Sequence, residues 1–247
     1  MATLCKGCEE ERPLIKAHVI PRSFFLDLKG DSPFLHSLGF SDGAAFDKKS
    51  PAGEYDQGIL CKECDGHIGK LDQYGKEFFI EQSYESKPVY HGLEEVGLEV
   101  TGIDGARLSK FILSIIWRAS ISERDFSKNV RLGPHSPTLK EFVFNDVVTP
   151  KSFGCFLYKF SKSRSVQQAE KIITSPVRDR LGCTNYYKFC LAGYSIWVRV
   201  DQSKPRSLHS QFEMGSGQKI MIPMIDYDKS SEYKNLKAVF ATCRLGH

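Results

Sequence analysis

Cys5-Lys6-Gly7-Cys8 near the start of the chain and Cys61-Lys62-Glu63-Cys64 further on decide how the fold is read. Two residues between cysteines let a tight turn aim both sulfurs at one tetrahedral centre, so each pair supplies half of a zinc site. The long insertion between the pairs is tolerable because loop-closure cost grows only slowly with length. Four thiolates fill the coordination sphere, which makes this zinc structural. The competing reading is two unrelated CxxC turns.

Between the pairs, Leu14-Ile15-Lys16-Ala17-His18-Val19-Ile20 is short, apolar and partly β-branched, and Pro21 ends it. A strand is expected there. Residues 22–56 are rich in Gly, Ser, Asp and Phe and too long for a plain hairpin loop. Gly58-Ile59-Leu60 reads as a second strand leading into Cys61. After Cys64 the apolar positions Ile68, Leu71, Gly75, Phe78 and Phe79 recur at helical spacing. Gly75 weakens the helix but permits a close approach of another backbone. Residues 1–82 therefore read as one compact zinc-braced unit.

The chain has 247 residues and a formal net charge of +4. That charge is compatible with nucleic acid but does not argue for it strongly. No basic start followed by an apolar stretch precedes Cys5, and the run from Phe111 to Trp117 is too short to span a bilayer. The expectation is a cytoplasmic protein that engages no membrane and keeps its thiols reduced. Cys155, Cys183, Cys190 and Cys243 are scattered and read as small buried hydrophobes.

Residues 83–247 read as an α+β domain with helices over about 106–145 and strands over about 152–245. Pro88, Gly92, Gly97, Gly102 and Gly105 interrupt its beginning, where Val96–Val100 is an edge-strand candidate. Leu108, Phe111, Ile112, Ile115, Ile116 and Ala119 share one helix face. A shorter helix follows, with Ser136 as cap and Pro137 at its first position. Strand candidates are Gly154–Phe160, Tyr186–Ala192, Tyr194–Val200, Lys219–Ile225 and Ala238–Cys243, which gives a mostly antiparallel sheet. Val166–Ile172 reads as either a short helix or the run-in to a strand. In Phe156-Leu157-Tyr158-Lys159-Phe160, alternation suggests one packed face and one exposed face. The segment 151–180, with Lys151, Lys159, Lys162, Arg164, Lys171, Arg178 and Arg180, is the clearest basic concentration of this domain, and around Lys159, Lys162 and Arg164 it is a candidate phosphate-tracking surface whose bland alternative is a solvated sheet face.

The order CxxC, His18-Val19-Ile20-Pro21, Leu60-Cys61-x-x-Cys64 and then a helix resembles the zinc-containing HNH endonucleases of the His-Me finger (ββα-metal) class. The likeness covers residues 5 to about 80. It implies an α+β protein with an N-terminal HNH module that hydrolyses phosphodiester bonds, of DNA before RNA, in bacterial defence or mobile elements. By the same resemblance His18 is the general base, and Asp65 at the helix start holds one Mg²⁺ or Mn²⁺ ion. Asp72, seven residues on, lies on nearly the same helix face and could support that ion. Two features depart from the family. Ala17 stands where a metal ligand often precedes the histidine, and no asparagine occurs before Asn129. Asp56 is the nearest substitute for orienting His18. Arg22, after Pro21, could hold a phosphate, whereas His67 is turned away from the Asp65 face. Two other readings stay open: a non-catalytic zinc-ribbon adaptor binding nucleic acid or a protein partner, and a nuclease subunit active only in a complex or homo-oligomer.

Overall fold

The computed structural model describes residues 3–31, 35–41, 44–50, 53–161, 172–202, 211–235 and 237. The protein is mixed α+β, with a four-cysteine cluster at the N-terminal end and a mostly antiparallel seven-stranded sheet.

In the N-terminal part the cysteine-bearing turns and the His18 segment are framed by two-residue strands. β1 (Thr3–Leu4) pairs with β2 (Glu11–Arg12), closing the turn that carries the first cysteine pair. β3 (Ala17–His18) is followed by α1 (Arg22–Lys29) and by the β4–β5 hairpin (Leu35–Ser41 with Ala44–Ser50). β6 (Tyr55–Asp56) then returns antiparallel to β3, with Ala17 opposite Asp56 and His18 opposite Tyr55. The second strand expected at Gly58–Leu60 is therefore displaced to Tyr55–Asp56. The carbonyls of Ile59 and Leu60 serve instead as acceptors for the amides of Lys6 and Ile15, which locks the two cysteine-bearing turns together.

α2 (Lys62–Phe79) begins just after Cys61 and buries Ile68, Leu71, Phe78 and Phe79. Gly75 sits directly under the ring of Phe111, which a Cβ at that position would strike. That ring belongs to α3 (Gly105–Ile121), capped by the Asp104 carboxylate, which accepts from the Arg107 amide at 2.9 Å. α3 is buried on nearly every side because α2, α4 (Ser136–Phe144) and the sheet all pack on it. In α4 Ser136 is the first helical residue and makes no capping bond. A tight turn over Gly133–His135 feeds straight into the helix and puts Pro137 second.

The sheet contains β7 (Glu85–His91), β8 (Glu94–Thr101), β9 (Phe153–Phe160), β10 (Val177–Leu181), β11 (Thr184–Leu191), β12 (Tyr194–Val200) and β13 (Lys219–Ile225) in the order β10-β11-β12-β9-β13-β8-β7. Among the described residues, only the β13–β9 pairing is parallel. Ala192 and Gly193 both have positive φ, the conformation of a two-residue hairpin turn between β11 and β12. The alternation expected along β9 holds, but both of its faces are buried. Cys155 and Leu157 face the main core, while Phe156 and Tyr158 join Tyr186 in a second cluster on the opposite face. Of the scattered cysteines, Cys155 and Cys190 are buried as expected and Cys183 is exposed. Cys243, the candidate strand Ala238–Cys243 and most of Val166–Ile172 lie outside the described residues. One core cluster runs from Cys5 through α3 to Ile222, shared by residues 1–82 and 83–247. No helix is long and apolar enough to cross a membrane among the described residues.

Candidate metal centre and the site around His18

The Sγ atoms of Cys5, Cys8, Cys61 and Cys64 all lie within 4.8 Å of one another. A zinc–sulfur bond near 2.3 Å needs tetrahedral edges of roughly 3.8 Å, so this set closes on an ion with small adjustments. Cys5, Cys61 and Cys64 are buried and Cys8 is exposed. The turn carrying the first pair is held by the Glu9 amide on the Cys5 carbonyl and the Cys5 amide on the Glu10 carbonyl, each at 2.9 Å. Gly7 is required there, since a Cβ would lie 2.7 Å from Cys64 Sγ. Cys61 caps α2 and Cys64 lies in its first turn, so two sulfurs face a helix N-terminus, which favours negative charge.

The thiols sense each other. Burial pushes the Cys5 thiol up, but amide hydrogen bonds from Cys61, Cys8 and Gly7 outweigh it and bring the pKa down to about 7. Cys64 is driven well above its ordinary value, by burial first and then by its thiol and thiolate neighbours. Four clustered thiols, three of them buried, are a donor set that a cation would complete. A metal such as zinc fits it, and would be fully enclosed by protein ligands.

Beyond this cluster the sequence singled out His18, Asp56, Asp65, Asp72, Arg22, Lys159, Lys162 and Arg164. His18 is half-buried on β3, its ring 5.9 Å from that of Tyr55. Its carbonyl accepts a 2.9 Å hydrogen bond from Arg118 Nη1. Arg118, on α3 and only 1 % exposed, also grips Asp72 with both arms, at 2.7 and 2.9 Å. The remaining donors go to the Ser114 carbonyl and hydroxyl. Arg118 thus ties the His18 strand, α2 and α3 through one buried guanidinium. Asp65 belongs to the same electrostatic group. Half-burial and the Asp72 charge raise its pKa, and Arg118 opposes them, burial being the largest influence.

Asp56 is buried, and its carboxylate turns to the end of α3 rather than to the His18 imidazole. Oδ2 accepts from Ser122 Oγ at 2.7 Å and from the Glu123 amide, and Oδ1 accepts from the Gly58 amide at 2.7 Å. Arg22 is exposed at the first residue of α1. His67 is exposed and stacks on Phe144 at 5.4 Å. Lys159 is half-buried over the Tyr194 ring at 5.7 Å, and burial lowers its pKa. Lys162 and Arg164 lie outside the described residues.

Arg118 is a residue that the sequence did not single out. The signal was there: an arginine in the last turn of a helix otherwise buried all round must find acceptors inside the protein. Among the described residues, the four cysteines are the only group of three or more metal-ligating side chains close enough to share an ion. No protein-family model, no curated protein and no solved structure matches this chain.

Proposed function

We propose that the chain is a metal-dependent endonuclease of HNH type, braced by zinc, that hydrolyses phosphodiester bonds in nucleic acid, DNA before RNA. What supports this reading is the fixing of the His18 strand against the Asp65 helix from two sides. The four-cysteine cluster holds one end and Arg118 holds the other. In this reading His18 takes the proton from the attacking water, a role that contributes about 10²–10⁴-fold when the base is well placed. Asp65 is the residue that would hold one Mg²⁺ or Mn²⁺. The ion supplies charge neutralisation at the phosphate. Asp72 is spent on Arg118 and acts as a strut, and Asp56 fixes the end of α3 to β6.

A second reading is favoured by that same accounting. With Asp56 and Asp72 both engaged, Asp65 is a sparse ligand set. This suits either a non-cleaving adaptor or a site completed by a partner chain. Plasmid and oligonucleotide cleavage with Mg²⁺, Mn²⁺ or Ca²⁺ separates the readings. The nuclease reading expects wild type to cut and His18→Ala to cut at least about 100-fold more slowly. Equal metal-dependent cutting by both proteins removes His18 from the base role. Binding without cutting by wild type, with candidate partners supplied, favours the adaptor.

A further inference from the structure

We propose that the cleft between residues 131–135 and the β10–β11 end of the sheet is a phosphate-binding site held by Arg131 and Arg178. The cleft has a volume of about 330 Å³, and its polar lining comes from Arg131, His135, Arg178, Asn185, Tyr186 and Tyr187. Among the described residues, no carboxylate lines it. Tyr187 organises it. On β11 it is the direct antiparallel partner of Arg178 on β10, so the two side chains leave the same face of the sheet. The Tyr187 hydroxyl also clamps the backbone of Arg131, accepting from its amide at 2.9 Å and donating to its carbonyl at 2.8 Å. One tyrosine therefore sets the positions of two arginines from distant parts of the chain.

Among the described residues, neither arginine has a carboxylate partner. Arg131 donates to the carbonyl of Val130 at 3.2 Å, and among the described residues Arg178 has no ion pair or hydrogen bond from its guanidinium. The nearby acids are occupied elsewhere. Asp179 lies on the opposite face of β10 and pairs with Lys188 at 3.1 Å. Asp201 Oδ2 accepts both the amide and the side-chain nitrogen of Asn185. The adjoining Arg180 is bound to Asn185 Oδ1 at 3.0 Å, which leaves Arg178 as the β10 arginine aimed at the cleft. Two guanidiniums sharing a cleft with no acid repel each other. An oxyanion relieves that repulsion and accepts forked hydrogen bonds from both.

Size narrows the ligand. The volume is at the small end for ligand pockets, and Tyr186 and Tyr187 are almost fully buried, so neither ring offers a stacking platform for a base. The site reads a phosphate group, carried either by a nucleic-acid backbone or by a small phosphorylated molecule. This inference stands independently of the nuclease reading, because it uses none of the residues around His18.

The test uses the full-length zinc-loaded protein, titrated calorimetrically with inorganic phosphate, adenosine monophosphate and a short single-stranded DNA. Arg178→Gln should weaken phosphate binding about tenfold, and Arg131→Gln/Arg178→Gln about 100-fold, since charge-assisted bonds are lost. Both arginines are exposed, so zinc content and melting temperature should stay at wild-type values. Arg131→Lys/Arg178→Lys should recover only part of the affinity, because a lysine cannot present the fork. Loss of DNA affinity in the Gln double variant, with a smaller salt slope, supports the site and identifies a backbone source. Loss of adenosine monophosphate affinity with DNA binding unchanged supports it and identifies a small molecule. Phosphate affinity equal in wild type and the Gln double variant overturns the proposal, as does failure of the wild type to bind phosphate at millimolar concentration.

Discussion

The N-terminal third and the seven-stranded sheet are stabilised in different ways. β1, β2, β3 and β6 are two residues each, and no pairing of that length holds a chain in place. Four thiols and one buried arginine take over that work. The sheet strands run from five to eight residues and bury apolar side chains on both faces of β9, which is enough to order them without a metal. The short-stranded region places His18 and Asp65, and the sheet supplies the mass on which α3 is seated. Around the two-residue strands of the first region, position therefore leans on the cysteine cluster and on Arg118 in addition to the shared apolar core, whereas in the second it is spread over long strand ladders.

Removing the metal should break the comparison most severely. Structural zinc sites contribute on the order of 10 kcal/mol of folding free energy. Cys61→Ser, or chelation of the wild type, should abolish bound zinc and the hydrogen-exchange protection of amides in Cys5–Phe25 and Tyr55–Asp65. The amides of β9, β11 and β12 should keep most of theirs. Metal analysis beside residue-resolved exchange reads both halves. Simultaneous loss of protection in the sheet would show that the two regions unfold as one unit and that the contrast is false.

The next effect concerns the Arg118–Asp72 pair. Asp72→Leu strands a guanidinium that is 1 % exposed and should cost about 3–5 kcal/mol in urea unfolding. Arg118→Met should cost less, because the Asp72 side chain is 21 % exposed and its carboxylate still reaches water. The double variant should cost less than the sum of the two, as expected for direct partners. Additive losses would mean that the pair is not a unit. On the nuclease reading, Arg118→Met should also lower kcat with KM little changed in a cleavage assay, because it frees the His18 carbonyl without touching the substrate side.

How much of this was legible follows from how local each signal is. The cysteine pairs announce themselves through a two-residue spacing, and the closing of all four on one point agrees with that reading. α3 was visible from its apolar period, and β12 and β13 were read to the residue because they are apolar and bounded by turns. The edge strands were harder. β10 is Val-Arg-Asp-Arg-Leu, and β7 carries Pro88 and is exposed along nearly its whole length, so neither shows a burial pattern. Gly58–Leu60 was apolar and read as a strand, yet the pairing fell on Tyr55–Asp56 because the cysteine turns needed the carbonyls of Ile59 and Leu60. The links from Arg118 to Asp72 and His18 span 46 and 100 positions, and no window of sequence contains them.

Asp65 gives the smallest and most discriminating test. Burial raises its pKa above the ordinary carboxylate value, only partly opposed by Arg118. The folded protein therefore binds more protons than the unfolded chain between those two pKa values, and stability falls as pH rises through that window. Above the folded-state pKa the whole penalty is present. Asp65→Asn removes the charge and should raise the melting temperature slightly at neutral pH. The gain should vanish at a pH below the ordinary carboxylate value, where the wild-type group is protonated in both states. A side chain kept for the helix dipole alone should do the opposite, losing stability on neutralisation. If Asp65→Asn stabilises the fold and also abolishes metal-dependent cleavage, the carboxylate is maintained at a cost to stability for its chemistry. If it destabilises the fold and cleavage persists, Asp65 belongs to the scaffold with the cysteines.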